Sequence, residues 1–119
     1  MSKILIIDKD ESLCSEFSNF LTQKGYEVSL AHDGKIGFSL FKTFVPDVVL
    51  LAIDLPGIEG LHLLDWMIAV NNNAKVIIIS AFGTYTNVKL AFKKGAIDFF
   101  VKPLDMKNIE SKIKNILLG

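Results

Sequence analysis

Five short runs of β-branched or leucine-rich sequence, at positions 4–7, 26–31, 48–53, 76–79 and 97–101, punctuate this chain. Each has the length of a strand, and the central ones do not alternate with polar residues, so neither face of those strands can be left to water. Strands that are apolar on both faces belong to a parallel sheet covered by helices on each side. The segments between them carry helical spacing. Leu13, Phe17, Phe20 and Leu21 share one helix face and Gly25 ends that segment; Asp33-Gly34 opens a second helix bearing Ile36, Leu40 and Phe44, closed by Pro46-Asp47. Residues 61, 64, 67 and 68 give the third helix its core face, with Trp66 left outside. Asp105 stands at the N-cap of the last, which buries Ile109, Ile113, Ile116 and Leu117. The order reads strand then helix five times, the pattern of a doubly wound α/β sheet.

A length of 119 residues fits one domain, expected to fill positions 1–119, and half the residues are hydrophobic, enough for a core without disulfides or a structural metal. Thirteen basic residues balance thirteen acidic ones. That balance argues against direct nucleic-acid binding or an anionic membrane surface, both of which demand concentrated positive charge. Every basic residue is Lys, so any phosphate chemistry must run on lysine, backbone amides or a metal. Cys14 is the only cysteine, which rules out an internal disulfide and a thiolate metal site. The first residues turn acidic after only four apolar positions, too short for a signal peptide, and a cytoplasmic location is expected.

In doubly wound sheets, ligands bind beyond the carboxyl ends of the strands. The residues there are Asp8, Lys9 and Asp10 after the first strand, Ala52 to Asp54 at the end of the third, Ser80 and Ala81 after the fourth, and Lys102-Pro103 after the fifth. The first turn has no glycine to admit a pyrophosphate and no Walker lysine motif exists, so nucleotide binding is not expected. A Ser-His-Asp triad finds no nucleophile elbow, and His32 and His62 are expected at the surface. What remains is carboxylates, one hydroxyl and one strand-end lysine, the parts that handle a phosphoryl group on an aspartate.

The acidic turn after the first strand, LLAIDLPGIEG around the third, Ser80-Ala81, and GAIDFFVKP at the fifth resemble the receiver domain of bacterial response regulators. The resemblance spans essentially the whole chain, and the Lys-Pro pair at positions 102–103 is its most specific mark; residues 80–104 look most like receivers of sigma-54-dependent activators. It implies a flavodoxin-like (βα)5 sheet with strand order 2-1-3-4-5. It also implies a module of two-component phosphorelay signalling, in which an aspartate accepts phosphate from a histidine kinase beside Mg²⁺. By motif, Lys102 matches the phosphate-contacting lysine, Ser80 the switch hydroxyl, Phe99 the switch aromatic and Asp8 the first metal-site acid. The resemblance further implies a C-terminal output domain in a longer chain, and a partner or homodimer face on the fourth helix, fifth strand and fifth helix. Leu90, Lys93, Lys94, Phe99 and Phe100 lie on or near that face, with Phe100 expected in the core; Trp66 with Leu63 and Val70 offers a second patch.

Two positions depart from the family pattern. The phosphoacceptor position, four before Pro56, is Ala52, which has no nucleophile. Asp54, two before Pro56, would give the metal its carbonyl and not its carboxylate, and does not simply replace the acceptor. Lys9 stands where a metal-ligating acid belongs, with Asp10 beside it. Asp8 with Lys9 and Lys102 leaves one net positive charge, or none if Asp10 points inward. Two carboxylates removed from such a site relieve repulsion of roughly 4 kcal/mol per pair at 4 Å. The reading is therefore a receiver unable to accept phosphate, with Asp8 and Asp54 as remnants of the metal site and no Mg²⁺ or other cofactor expected. The Lys9 ammonium is a candidate for the metal's place. Such a domain is no enzyme and acts through protein contacts. Ala52 is either natural, making a pseudo-receiver, or an introduced Asp to Ala substitution; the coincident change at Lys9 favours the natural origin.

An alternative takes Asp8-Lys9-Asp10 as the Asp-x-Asp of haloacid-dehalogenase-like phosphatases, with Asp8 as nucleophile and Asp10 as general acid/base. It finds no acidic pair for Mg²⁺ and leaves the Lys102-Pro103 pair without a use.

Overall fold

The computed structural model describes residues 1–119. At its centre lies Val48–Ala52 (β3), flanked by Lys3–Ile7 (β1) and Val76–Ser80 (β4); every residue of β3 and β4 is buried. Glu27–Ala31 (β2) lies outside β1 and Asp98–Val101 (β5) outside β4, giving a five-stranded parallel sheet in the order β2-β1-β3-β4-β5. The apolar runs called for a doubly wound parallel sheet, and the order is the (βα)5, flavodoxin-like one that the resemblance to receiver domains implies. The two edge strands are only partly buried, which matches their more polar sequences Glu27–Ala31 and Asp98–Val101.

Five helices follow the strands in turn: Glu11–Gln23 (α1), Gly34–Phe44 (α2), Gly60–Val70 (α3), Tyr85–Lys93 (α4) and Met106–Leu118 (α5). Each starts where a side chain can take up a free backbone amide. Asp10, Asp33, Thr84 and Asp105 accept from the amides of Leu13, Ile36, Asn87 and Asn108, and Glu59 accepts from Leu61. Helix α1 packs with α5, and α2 with α3, so the sheet is covered on both faces. The core joins Ile4, Ile6, Leu50 and Ile77 of the sheet to Phe17, Leu64, Met67 and Ile113 of the helices. Each such side chain contributes about 1.5–3 kcal/mol by leaving water.

Two expectations about packing change. Leu63 is fully buried, so it cannot join Trp66 and Val70 in a surface patch. A helix wedged between the sheet and a neighbouring helix buries more than one stripe, which the four-residue core face of α3 understated. Trp66 is 45% exposed and sets its ring edge-on against Phe38 of α2, centroids 5.4 Å apart. Phe100, expected in the core, is half-buried because β5 is an edge strand.

The register brings the strand ends level. Ile7 of β1 pairs with Leu51, Ala52 of β3 with Ile79, and Ser80 of β4 with Val101. Asp8, Ala52 and Ser80 thus reach the same edge of the sheet. Gly60 lets α3 begin against that edge: its amide donates to the Ile53 carbonyl at 2.8 Å, and a Cβ there would collide with the carbonyl of Ala52.

Candidate functional site

The strand ends enclose a cleft of about 330 Å³ that contains Asp8, Lys9, Asp10, Ala52, Asp54, Ser80 and Lys102. All the site positions read from the sequence meet here except Phe99, which is half-buried on β5 and does not line it.

Asp8 is the buried anchor, 1% exposed. Its backbone amide continues the sheet by donating to the Ala31 carbonyl at 3.0 Å, which drives the side chain inward. Oδ1 accepts the Asp10 amide at 3.0 Å. Oδ2 lies 2.6 Å from the Lys102 Nζ but receives no well-directed hydrogen bond, so that contact is chiefly one of charge. A carboxylate this deep requires a counter-ion, and Lys102, three-quarters buried, is that ion. Pro103 follows a cis peptide bond from Lys102.

Asp8 also organises two residues that sequence reasoning left aside. Its carbonyl accepts the Cys14 Sγ–H at 3.4 Å and lies 3.0 Å from the His32 Nδ1. A carbonyl only accepts, so Nδ1 is the protonated nitrogen of His32 in this contact. His32 is half-buried by it, not a surface residue as expected, while His62 is exposed. Cys14 is fully buried, and burial, reinforced by the Asp8 and Asp10 charges, pushes its thiol up to about 11. Its spacing with Phe17 and Leu21 on α1 was the available signal.

Lys9 bonds the Asp54 Oδ2 at 2.6 Å, with side chains 55% and 59% exposed. The Asp54 hydrogen bond, then the Asp54 charge, raise the Lys9 ammonium above its ordinary value. Asp54 therefore presents its carboxylate to Lys9, a pairing that sequence reasoning did not foresee. Asp10 does not point inward as a ligand: its Oδ1 accepts the Leu13 amide at 3.1 Å and caps α1. Ser80 is buried, and its Oγ accepts the Phe82 amide at 2.9 Å, while the Asn87 Nδ2 donates to the Phe82 carbonyl at 3.0 Å. The hydroxyl is thus tied to the turn that leads into α4. Ala52 is 3% exposed and offers a methyl group.

A divalent cation needs several oxygen ligands converging on one point. Here one Asp8 oxygen faces Lys102, Asp54 is taken by Lys9, and Asp10 caps a helix; no group of three His, Cys, Asp or Glu side chains converges. The residues present do not fit Mg²⁺. The same cap removes Asp10 from the general acid/base role that the phosphatase reading gave it.

A family model described as "Response regulator receiver domain" matches residues 4–114. The chain belongs to the response regulator receiver domain family. It is 36% identical over 118 residues to the chemotaxis protein CheY of Treponema pallidum (strain Nichols), covering 97% of this chain and 82% of that one. It is 31% identical over 114 residues to the transcriptional regulatory protein ZraR of Escherichia coli (strain K12), covering 96% of this chain and only 26% of that one. Among solved structures, it superposes with a TM-score of 0.92 and 29% identity on a chain of the CheX-CheY-BeF3-Mg+2 complex from Borrelia burgdorferi, covering 99% and 90% of the two chains. As a receiver domain it is a module of two-component signal transduction, a family that works with histidine kinases and output domains and typically binds Mg²⁺ at its phosphorylation site. No helix is long and apolar enough to cross a membrane.

Proposed function

We propose that this receiver domain accepts no phosphoryl group and relays its signal by protein contact, as a pseudo-receiver. The observation that carries the reading is Ala52: at the end of β3, between Asp8 and Ser80, the buried position facing Lys102's pocket holds a methyl group and no nucleophile. Asp54 is a poor substitute, since its carboxylate lies outward in a bridge to Lys9. With Asp8 committed to Lys102, Mg²⁺ binding is weak or absent and the domain is no enzyme.

The partner is a histidine kinase or another signalling protein met in the cytoplasm. An output domain joined to the C-terminus is consistent with the small share of ZraR that the chain covers. Exposed Tyr85 and Leu90 on α4 and Val101 on β5 supply apolar contacts for the α4-β5-α5 face, where a partner or a second copy docks, and Lys93 adds positive charge beside them. Residues 1–119 act as one domain.

Intact-mass analysis after incubation with acetyl phosphate and Mg²⁺ tests this. No adduct of about 80 Da is expected on the natural sequence or on Asp54→Asn. A stoichiometric adduct on the natural sequence would overturn the reading, and its loss in Asp54→Asn or Asp8→Asn would identify the acceptor.

A further inference from the structure

Receiver domains hold a divalent ion at this edge of the sheet, and this chain lacks the converging acids, yet the loops around the cleft are tied together all the same. Lys9, in the turn after β1, bonds Asp54, 45 positions further on in the loop after β3, at 2.6 Å. Lys102, after β5, closes on Asp8 at 2.6 Å. We infer that Lys9 is this domain's resident cation: its ammonium takes the place of the divalent metal between the β1–α1 turn and the β3–α3 loop, and its identity is what makes the site indifferent to Mg²⁺.

The charge inventory supports the assignment. Three carboxylates (Asp8, Asp10 and Asp54) and two ammonium groups (Lys9 and Lys102) line the cleft, leaving one net negative charge. Asp10 is held by the Leu13 amide at the start of α1, and Asp8 and Asp54 each face a lysine. The bridge is more than half exposed, and exposed ion pairs add little to stability. Its effect is therefore electrostatic: a fixed positive charge beside Asp54 repels an incoming cation and neutralises the carboxylate that would otherwise attract one.

The inference rests on the proposed reading of the domain as phosphate-independent, but the two fail separately. An acetyl phosphate adduct defeats the proposed function; a Mg²⁺ response without an adduct defeats only the role of Lys9.

The test is thermal unfolding of the 119-residue chain with about 10 mM MgCl2 against KCl of equal ionic strength. The natural sequence is expected to hold its Tm to within about 1 °C, whereas Lys9→Glu, which puts a third carboxylate beside Asp8 and Asp54, rises on the order of 5 °C. Lys9→Gln responds less than Lys9→Glu. An equal rise in the natural sequence, or a folded Lys9→Glu that ignores Mg²⁺, overturns the inference. Should Lys9→Glu not fold, hydrogen exchange in Lys9→Gln decides: amides of residues 53–59 are expected to exchange about 2- to 5-fold faster. Unchanged protection there overturns the inference as well.

Discussion

At the scale of single residues, the fate of this domain turns on which charge faces which. Lys102 and Asp8 form the one bridge in the cleft with a fully buried partner. Asp8→Asn keeps an oxygen for the Asp10 amide but leaves an ammonium three-quarters buried without its counter-ion. Breaking a buried pair from one side costs 3–5 kcal/mol in general; with Lys102 partly hydrated, about 2–3 kcal/mol is expected here, measured by urea unfolding. Lys102→Met in the same background should recover part of the loss, since it removes the orphaned charge. Cys14 makes a second prediction. Its native thiol titrates near 11 against an unfolded value of 9.0, so the folded chain keeps a proton that the unfolded chain releases. Stability from this group is complete below pH about 9 and drains away as pH rises toward 11, by an amount on the order of 2 kcal/mol. A Cys14→Ala variant, though less stable overall, should lack that alkaline component in pH-dependent unfolding curves. Sequence alone disclosed the identity of Ala52 and Lys9, which is why the departure from the family was legible. It did not disclose that Lys9 and Asp54 pair, because they lie 45 positions apart and meet only through the parallel register of β1 and β3.

At the scale of elements, the same carboxylate can serve a helix or a ligand, and local geometry decides. Asp10 caps α1. Asp10→Ala is therefore expected to cost about 1 kcal/mol, while Asp10→Ser, which retains a capping oxygen without charge, costs only a few tenths; the midpoints of denaturant unfolding discriminate them. Were Asp10 a site acid instead, the two variants would behave alike. Gly60 offers the sharper test of the β3–α3 junction. An added methyl would run into backbone, the Ala52 carbonyl and the Ile53 Cα, which cannot rotate away as a side chain could. Gly60→Ala should cost more than 2 kcal/mol, opposite in sign to the usual gain from replacing a helical glycine. The caps at Asp33 and Asp105 were readable because an acidic residue preceded an apolar period. Asp10 was not, because Asp8-Lys9-Asp10 also reads as a catalytic motif and only the φ/ψ of the turn separates the two.

At the scale of the whole molecule, the apolar runs pointed to a parallel sheet covered on both faces, and the strand order came from the resemblance to receiver domains. All five strands form where the runs lie, but the burial along β5 was misread, since the number of neighbours a strand has is a long-range property that no local window contains. That misreading placed Phe100 in the core when β5 has only one neighbouring strand. The edge also exposes Val101, which with Tyr85 and Leu90 marks the proposed contact face. Val101→Lys and Leu90→Glu are expected to abolish partner or self-association in light scattering or pull-down while shifting stability by no more than about 0.5 kcal/mol. Association that survives both changes would move the contact elsewhere.

The placement of Trp66 has a practical outcome. As the sole indole of the chain, lodged against Phe38 on the α2–α3 side and absent from the lining of the cleft, it makes intrinsic fluorescence a gauge of whether those two helices stay docked. Emission will change when the layered architecture melts and stay quiet while ions are titrated at the sheet's far rim, so each kind of event can be followed in the same cuvette without a label.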